Sequence, residues 1–432
     1  MMQNDRLIAA AAALAAYGLF CLWIWWRARA RGKVAGGEML IAFASQTGMA
    51  EELARATAKA LAAKGDAVAV CVLGSLTAED LRAYRRVLFI ASTTGEGSPP
   101  DMAYRFQRKE MAQAANLDGV EVAVLALGDR TYADFCGFGR RLDAWLGASG
   151  ATRLFDAIEV DAGDPVAIAR WGRKVAGPKA ASFLAPASHA PWRLVERRRL
   201  NPAGKGDPVF LIALEPKGEV DGWTAGDVIE IEREVKGVLH HREYSIASLP
   251  ADRRLELVVR EHRREDGSVG LMSGWLTGSA RIGATVNLRV RTNNAFHPLP
   301  ERPRLLIGAG TGIAGLRGHV KAGGQRAWLV FGERSRAGDY LLGDEIEAAL
   351  VAGALARRDL AFSRDEGGGY VQDVLRAQAA DLRAFVDQGA AIFVCGSLAG
   401  MGHGVHDALG EILGAARLQK LTEDGLYRRD LY

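Results

Sequence analysis

Ser45 and Thr47 stand two residues apart in the run ASQTGMAEELA (44–54), with Gly48 next and a helix-like stretch behind. Two hydroxyls, a glycine that admits a close backbone approach, and free N–H groups at a helix start make an anion cradle suited to phosphate. A Ser or Thr before a helix serves equally as an N-cap, so this turn alone leaves both roles open. Two further loops bear on it. STTGEGSPPDMA (92–103) carries Gly95 and Gly97, which let backbone amides face a polar ring edge; LGDRTYADFCGFGRRLD (127–143) carries Gly128, Asp129, Tyr132 and Phe135, whose aromatics can stack on a flat ligand. A flat ring with one phosphate describes flavin mononucleotide (FMN).

Two more constellations lie downstream. In HHREYSIAS (240–248), Arg242, Tyr244 and Ser245 offer a partner for a pyrophosphate, a stacking ring and a hydrogen bond to a ring nitrogen, the needs of flavin adenine dinucleotide (FAD). In RLLIGAGTGIAGLRGHV (304–320), a strand runs into Gly308, Gly310, Thr311 and Gly312 and then a helix, the setting a dinucleotide fingerprint requires.

The elements that must position these residues follow from periodicity. MLIAF, AVAVCVL, RVLFIAS and VEVAVLALG alternate with longer Ala-rich stretches, predicting an α/β unit with a doubly wound parallel sheet whose ligand loops follow the strands' carboxyl ends. After Trp171 the chain turns to GPKAASFLAPASHAPW, a linker by composition. PVFLIALE, DVIEIE, RLELVVREH and ATVNLRV are short runs separated by turn residues and predict an antiparallel barrel. The boundaries expected are 1–37 for an anchor and basic flank, 38–177 for the FMN unit, 178–192 for the linker, 193–300 for the FAD barrel and 301–432 for a Rossmann-like NADPH unit.

The anchor rests on LIAAAAALAAYGLFCLWIWW, Leu7 to Trp26, since about 20 apolar helical residues cross a bilayer. Arg27, Arg29, Arg31 and Lys33 follow at once beside Trp23, Trp25 and Trp26, so a single-pass transmembrane helix with its body in the cytoplasm is expected. A cleaved signal peptide would place its charges before the apolar run.

With these residues in view, the three early loops resemble those of flavodoxins. STTGEGSPPD together with LGDRTYADFCGFGRRLD is similar to the flavodoxin-like domain of NADPH diflavin reductases, the sulfite reductase flavoproteins among them. The resemblance implies that Ser45, Gln46, Thr47, Gly48 and Met49 hold the FMN phosphate, that Thr93, Thr94, Gly95, Glu96 and Gly97 line the ring edge, that Tyr132 stacks on the ring, and that Asp161 lies near it. Some members carry an aromatic where this chain has Thr94. GLMSGWL, with Gly270, Leu271, Met272 and Ser273, resembles the second pyrophosphate cradle of ferredoxin reductases. VFGERSRAGDYLL (with Arg334), AFSRDEGGGYVQ and IFVCGSLAGM resemble the NADPH half, which implies that Ser363 and Arg364 meet the ribose phosphate, assisted by Tyr370 and Gln372. Ser245, Cys395 and Asp430 match the family's constellation at the nicotinamide–flavin contact, and Tyr432 matches the aromatic that covers the FAD ring and gates the nicotinamide. Departures are Gly315, where proline is usual, an EGGG stretch without the customary lysine, and no helical connecting domain between Gly226–Asp227 and Arg242, which leaves the linker to hold the modules together.

Composition fits an enzyme of this kind: 432 residues, 49% hydrophobic, with 55 Lys and Arg against 51 Asp and Glu for a net charge of +4. That balance offers no stripe for nucleic acid. The four cysteines form no CxxC pair and no metal-ligand spacing with histidine, so neither a metal site nor a disulfide scaffold is expected. The function expected is electron transfer from NADPH through FAD and FMN to a haem or iron–sulfur partner; a ferric-siderophore or quinone reductase, or a redox-sensing scaffold, would use the same modules.

Overall fold

In a computed structural model of the chain, the described residues are 37–130, 132–178, 188–204, 206–219, 222–264, 266–324 and 326–432. The apolar run Leu7–Trp26 lies outside them; among them no helix is long and apolar enough to cross a membrane.

The near-continuous apolar runs of the first unit are what a sheet covered on both faces requires. Strands β1 (Gly37–Ala44), β2 (Val68–Val72), β3 (Tyr84–Ser92), β4 (Glu121–Gly128), β5 (Thr152–Arg153) and β6 (Ile158–Asp161) form one parallel sheet in the order 2-1-3-4, with β5 and β6 both on the far side of β4. Successive residues feed opposite cores: Leu40 and Ala42 pack with Phe138, Leu142 and Trp145 of the helix Gly137–Ala148, whereas Ile41 and Phe43 pack with Leu53 of the helix Met49–Ala62 and with Trp171.

The second unit is antiparallel. Strands β7 (Ala190–Arg199), β8 (Val209–Pro216), β9 (Val228–Val235), β10 (Val238–Ser245), β11 (Leu255–Arg260) and β12 (Thr285–Arg291) run in the order 10-9-12-7-8-11. Among the described residues no ladder joins β10 to β11, so the expected barrel is open along that seam. Between β9 and β10 only Lys236 and Gly237 intervene, both with positive φ (54° and 78°), a two-residue hairpin where the larger family members were expected to carry a domain. The third unit, β13 (Arg304–Ala309), β14 (Ala327–Glu333), β15 (Arg357–Phe362), β16 (Ala391–Gly396) and β17 (Tyr427–Leu431), is a parallel sheet in the order 15-14-13-16-17. Its order reverses between β13 and β16, and a crevice opens at their carboxyl ends.

The modules are joined by more than the linker, contrary to the sequence expectation. Gly48 takes a left-handed φ of 85°, and a Cβ there would lie 2.1 Å from the Thr292 carbonyl oxygen, so the first loop presses on the backbone after β12. Around that contact Arg289 pairs with Glu52 at 2.6 Å, Asn294 Nδ2 donates to both Glu51 carboxylate oxygens at 3.0 Å, and Arg291 donates to the Thr47 carbonyl at 3.1 Å. Arg429 donates to Asp101 at 2.9 Å, and Gln46 donates to the Arg429 carbonyl at 3.2 Å.

Asp101→Ala leaves Arg429 without its carboxylate, which should cost about 1.5–3 kcal/mol. In the chain from Gly37 onward we expect a lower thermal midpoint and a larger radius of gyration by small-angle scattering. An unchanged midpoint and scattering profile would show that the modules are held elsewhere.

Candidate functional site

Three loops from the carboxyl ends of β1, β3 and β4 meet. Ser45 is buried, and its hydroxyl accepts from the Ala50 N–H at 3.2 Å, in the first turn of the helix that Gly48 begins. Gln46 reaches the second loop, accepting from Thr94 Oγ1 at 3.4 Å. Met49 packs towards Gly163, where a Cβ would lie 2.9 Å from its Cε, beside the loop after β6. In the second loop Gly95 (φ 49°) and Gly97 (φ 87°) turn inside a bridge between Thr94 and Ser98. The Thr93 hydroxyl is buried with no partner among the described residues, the kind of orphaned polar atom that a ligand's polar edge satisfies. Glu96 accepts from the Ala133 N–H at 3.1 Å and ties this loop to the third.

In the third loop Gly128 has no room for a side chain, because a Cβ would lie 2.8 Å from the Cys136 nitrogen. The Asp129 carbonyl accepts from Tyr132 N–H at 3.1 Å, and the Tyr132 ring stays 38% exposed. Phe135, expected to stack on a ligand, lies in the core beneath the loop, with the Arg130 guanidinium 4.4 Å from its ring centre. Asp161 accepts from Arg130 N–H at 3.0 Å and pairs with its guanidinium at 3.4 Å, so it fastens the third loop. Tyr132, Thr93 and the glycine-rich backbone fit a flat, singly phosphorylated ring.

A second cleft of about 810 Å³ opens at the barrel seam, lined by Arg242, Tyr244 and Ser245 of β10, by Arg260 of β11, by Gly270 to Ser273, and by Tyr432. The Gly270 N–H donates to the His262 carbonyl at 2.7 Å and Ser273 Oγ accepts from the His262 N–H at 3.2 Å, fixing this turn against the end of β11; the Leu271 carbonyl accepts from Arg233 at 2.8 Å, and Met272 is buried. Arg260 pairs with Glu333 at 2.7 Å, yet among the described residues its buried Nη1 has no partner. Sequence reasoning passed over Arg260 as a strand residue; only its position at the cleft end of β11 marks it. An orphaned guanidinium nitrogen in a cleft with Arg242 fits a pyrophosphate.

Beyond the seam, Gly310 (φ 58°) and Gly312 carry the chain past β16, where a Cβ on Gly312 would lie 2.0 Å from the Cys395 carbonyl oxygen. The ends of β14 and β15 bring Arg334, Ser363 and Arg364 together: Ser363 N–H donates to the Glu333 carbonyl at 3.0 Å and Arg364 N–H to the Arg334 carbonyl at 2.8 Å. Among the described residues Arg334 and Arg364 form no ion pair, which suits them to a phosphate dianion. Tyr370 is exposed beside them, and Gln372 lies within 3.1 Å of a Cβ placed on Gly404.

The flavodoxin family model matches residues 41–169, and the oxidoreductase NAD-binding domain model matches residues 306–407. The sulfite reductase [NADPH] flavoprotein alpha-component of Neisseria meningitidis serogroup C (strain 053442) is 27% identical, with 90% of this chain and 88% of that protein covered. Its counterpart in Bacillus subtilis (strain 168) is 25% identical, covering 91% of this chain and 89% of that protein. The chain joins a flavodoxin domain to an oxidoreductase NAD-binding domain and is an NADPH-dependent diflavin oxidoreductase similar to these flavoproteins. Its flavodoxin unit takes FMN, and its reductase half takes FAD and NADPH. The Neisseria alignment runs over 538 positions, more than the 432 residues of the reductase itself, so the relative carries insertions that this compact chain lacks.

Bound nicotinamide and flavins supply the hydride and one-electron chemistry; the reductase supplies placement. Cys395 and Asp430 face each other across β16 and β17. Ser245 Oγ donates to Asp430 Oδ2 at 2.7 Å and the Cys395 thiol donates to the same oxygen at 3.6 Å. Burial raises the Asp430 carboxyl and lifts the Cys395 thiol well above its ordinary range, the latter helped by the neighbouring carboxyl, so Cys395 is held as a thiol. A Cβ on Gly315, the position where proline is usual, would lie 2.8 Å from Cys395 Sγ. Tyr432 continues β17: its N–H donates to the Gly396 carbonyl at 3.2 Å, its carbonyl accepts from Leu398 N–H at 3.0 Å, and its hydroxyl lies 2.8 Å from Thr311 Oγ1.

Two outcomes follow. Arg364→Ala should raise the KM for NADPH on the order of tenfold or more and leave NADH nearly untouched; equal loss with both nucleotides would move the phosphate contact elsewhere. Asp430→Ala removes the shared acceptor of Ser245 and Cys395 and should slow flavin reduction by NADPH on the order of a hundredfold in stopped flow, with NADPH affinity retained.

Proposed function

We propose that this reductase carries electrons from NADPH through FAD to FMN and on to a one-electron acceptor protein holding haem or an iron–sulfur cluster, and that the run Leu7–Trp26 holds it to a membrane with its body on the cytoplasmic side. The observation that carries the acceptor reading is the contiguity of the two flavin sites. Thr47 of the first FMN loop lines the FAD cleft, and a Cβ on Gly95 of the ring-edge loop would lie 2.9 Å from Leu398, the residue hydrogen-bonded to Tyr432. A chain that sent its electrons straight from FAD to a ferric chelate or quinone would gain nothing from a second flavin site built against the first. The relatives' own name, flavoprotein alpha-component, supports a partner subunit as acceptor. The basic cluster at Arg27 to Lys33 supports the orientation.

Purified protein should release FMN and FAD in equal amounts, and Tyr132→Ala should lose FMN and the reduction of cytochrome c while ferricyanide reduction from the FAD side persists. Cytochrome c reduction that survives complete loss of FMN would overturn the route. On intact cells the body should resist external protease; digestion from outside would overturn the orientation.

A further inference from the structure

A polar cluster sits on the barrel where the linker enters it, and its His241 stands one residue before the Arg242 of the FAD motif. His189 is the last residue before β7. Glu232 of β9 and His241 of β10 are directly opposed in the antiparallel ladder, so their side chains rise from the same face. His189 Nδ1 lies 3.3 Å from Glu232 Oε2, and the imidazoles of His189 and His241 are 5.5 Å apart between centres. One ligand atom from each of the three residues lies within 4.8 Å of the other two. The His189 side chain is 8% exposed, and His241 Nδ1 is buried with no hydrogen-bond partner among the described residues.

We propose that His189, Glu232 and His241 form a binding site for a divalent transition-metal ion, for which zinc is the natural probe. Two imidazoles and one carboxylate are a borderline donor set that zinc accepts at about 2.0–2.2 Å from each ligand atom, with water at the fourth position. The present spacings need only small side-chain rotations to reach that geometry. The His241 nitrogen gains the partner it lacks, and the carboxylate offsets part of the ion's charge. Glu230, which approaches both His189 at 3.1 Å and His241 at 3.7 Å, supplies a second carboxylate whose other contact, at 2.9 Å, is the Arg289 guanidinium. Against the opposing effect of burial, the hydrogen bond from His189 and then the Arg289 guanidinium hold the Glu230 carboxyl well below the usual carboxylate range. Arg289, the cation beside the cluster, is itself shared between Glu230 and Glu52 of the flavodoxin unit.

The site would tie the residue that leads into β7 to the paired strands β9 and β10. His189 ends the linker, and Glu232 and His241 belong to the short β9–β10 hairpin. A bound ion pins the linker's exit to that hairpin, one side chain away from the Arg289–Glu52 bridge between modules. The role is structural: it fixes where the tether leaves the barrel.

Full-length protein in detergent, stripped with a chelator and dialysed against zinc, should retain one zinc per chain by elemental analysis. His189→Ala and His241→Ala should each lower zinc affinity at least tenfold while flavin content is kept, and Glu232→Gln, which preserves shape, should do the same. His403→Ala, an exposed histidine outside the cluster, should bind as the parent does. Zinc should also slow proteolytic cleavage within residues 178–189 of the parent severalfold, but not of His241→Ala. No retained zinc, or zinc retained equally by the parent and all three cluster variants, would overturn the site. Retained zinc with unchanged cleavage of the linker would overturn the clamp.

Discussion

Gly48 can sit against the Thr292 carbonyl only because it has no side chain, and the meeting of the two flavin sites depends on that approach. One loop serves two masters. Its outward face is the candidate phosphate cradle, and its flank is the docking surface, where Thr47, Glu51 and Glu52 receive Arg291, Asn294 and Arg289. Cofactor binding and module docking are therefore coupled through a few residues of backbone, and a change at this loop acts on both.

In the cleft that Thr47 also lines, a single buried oxygen organises the candidate nicotinamide–flavin contact. Asp430 Oδ2 accepts from Ser245 of the barrel and from Cys395 of the adjacent strand, so one carboxyl gathers groups from two modules. Burial would be costly for a lone charge; two donors and a raised pKa make it tolerable. Tyr432 then follows from strand geometry, since continuing β17 by one residue carries its ring into the cleft between Thr311 and the barrel seam.

Much of this was legible in the sequence because the loops announce themselves. Positive-φ glycines at 48, 95, 97 and 310 stand at strand ends, where a phosphate or ring edge needs backbone room. What periodicity could not give were facts of packing. Phe135 looked like a stacking aromatic, but the left-handed Cys136 that follows begins the helix Gly137–Ala148, and the ring belongs to the core on that helix's side. Arg260 was hidden in an ordinary strand pattern, its meaning set by Glu333 from another module. The linker was expected to be the sole tether because charges such as Asp101 and Arg429, 328 positions apart, carry no local sign that they will pair.

The turn at Lys236–Gly237 has a further consequence. Both residues occupy left-handed backbone and join neighbouring strands in unbroken register, so the hairpin is a splice point: a folded insert whose ends lie close together could enter here without disturbing the ladder on either side.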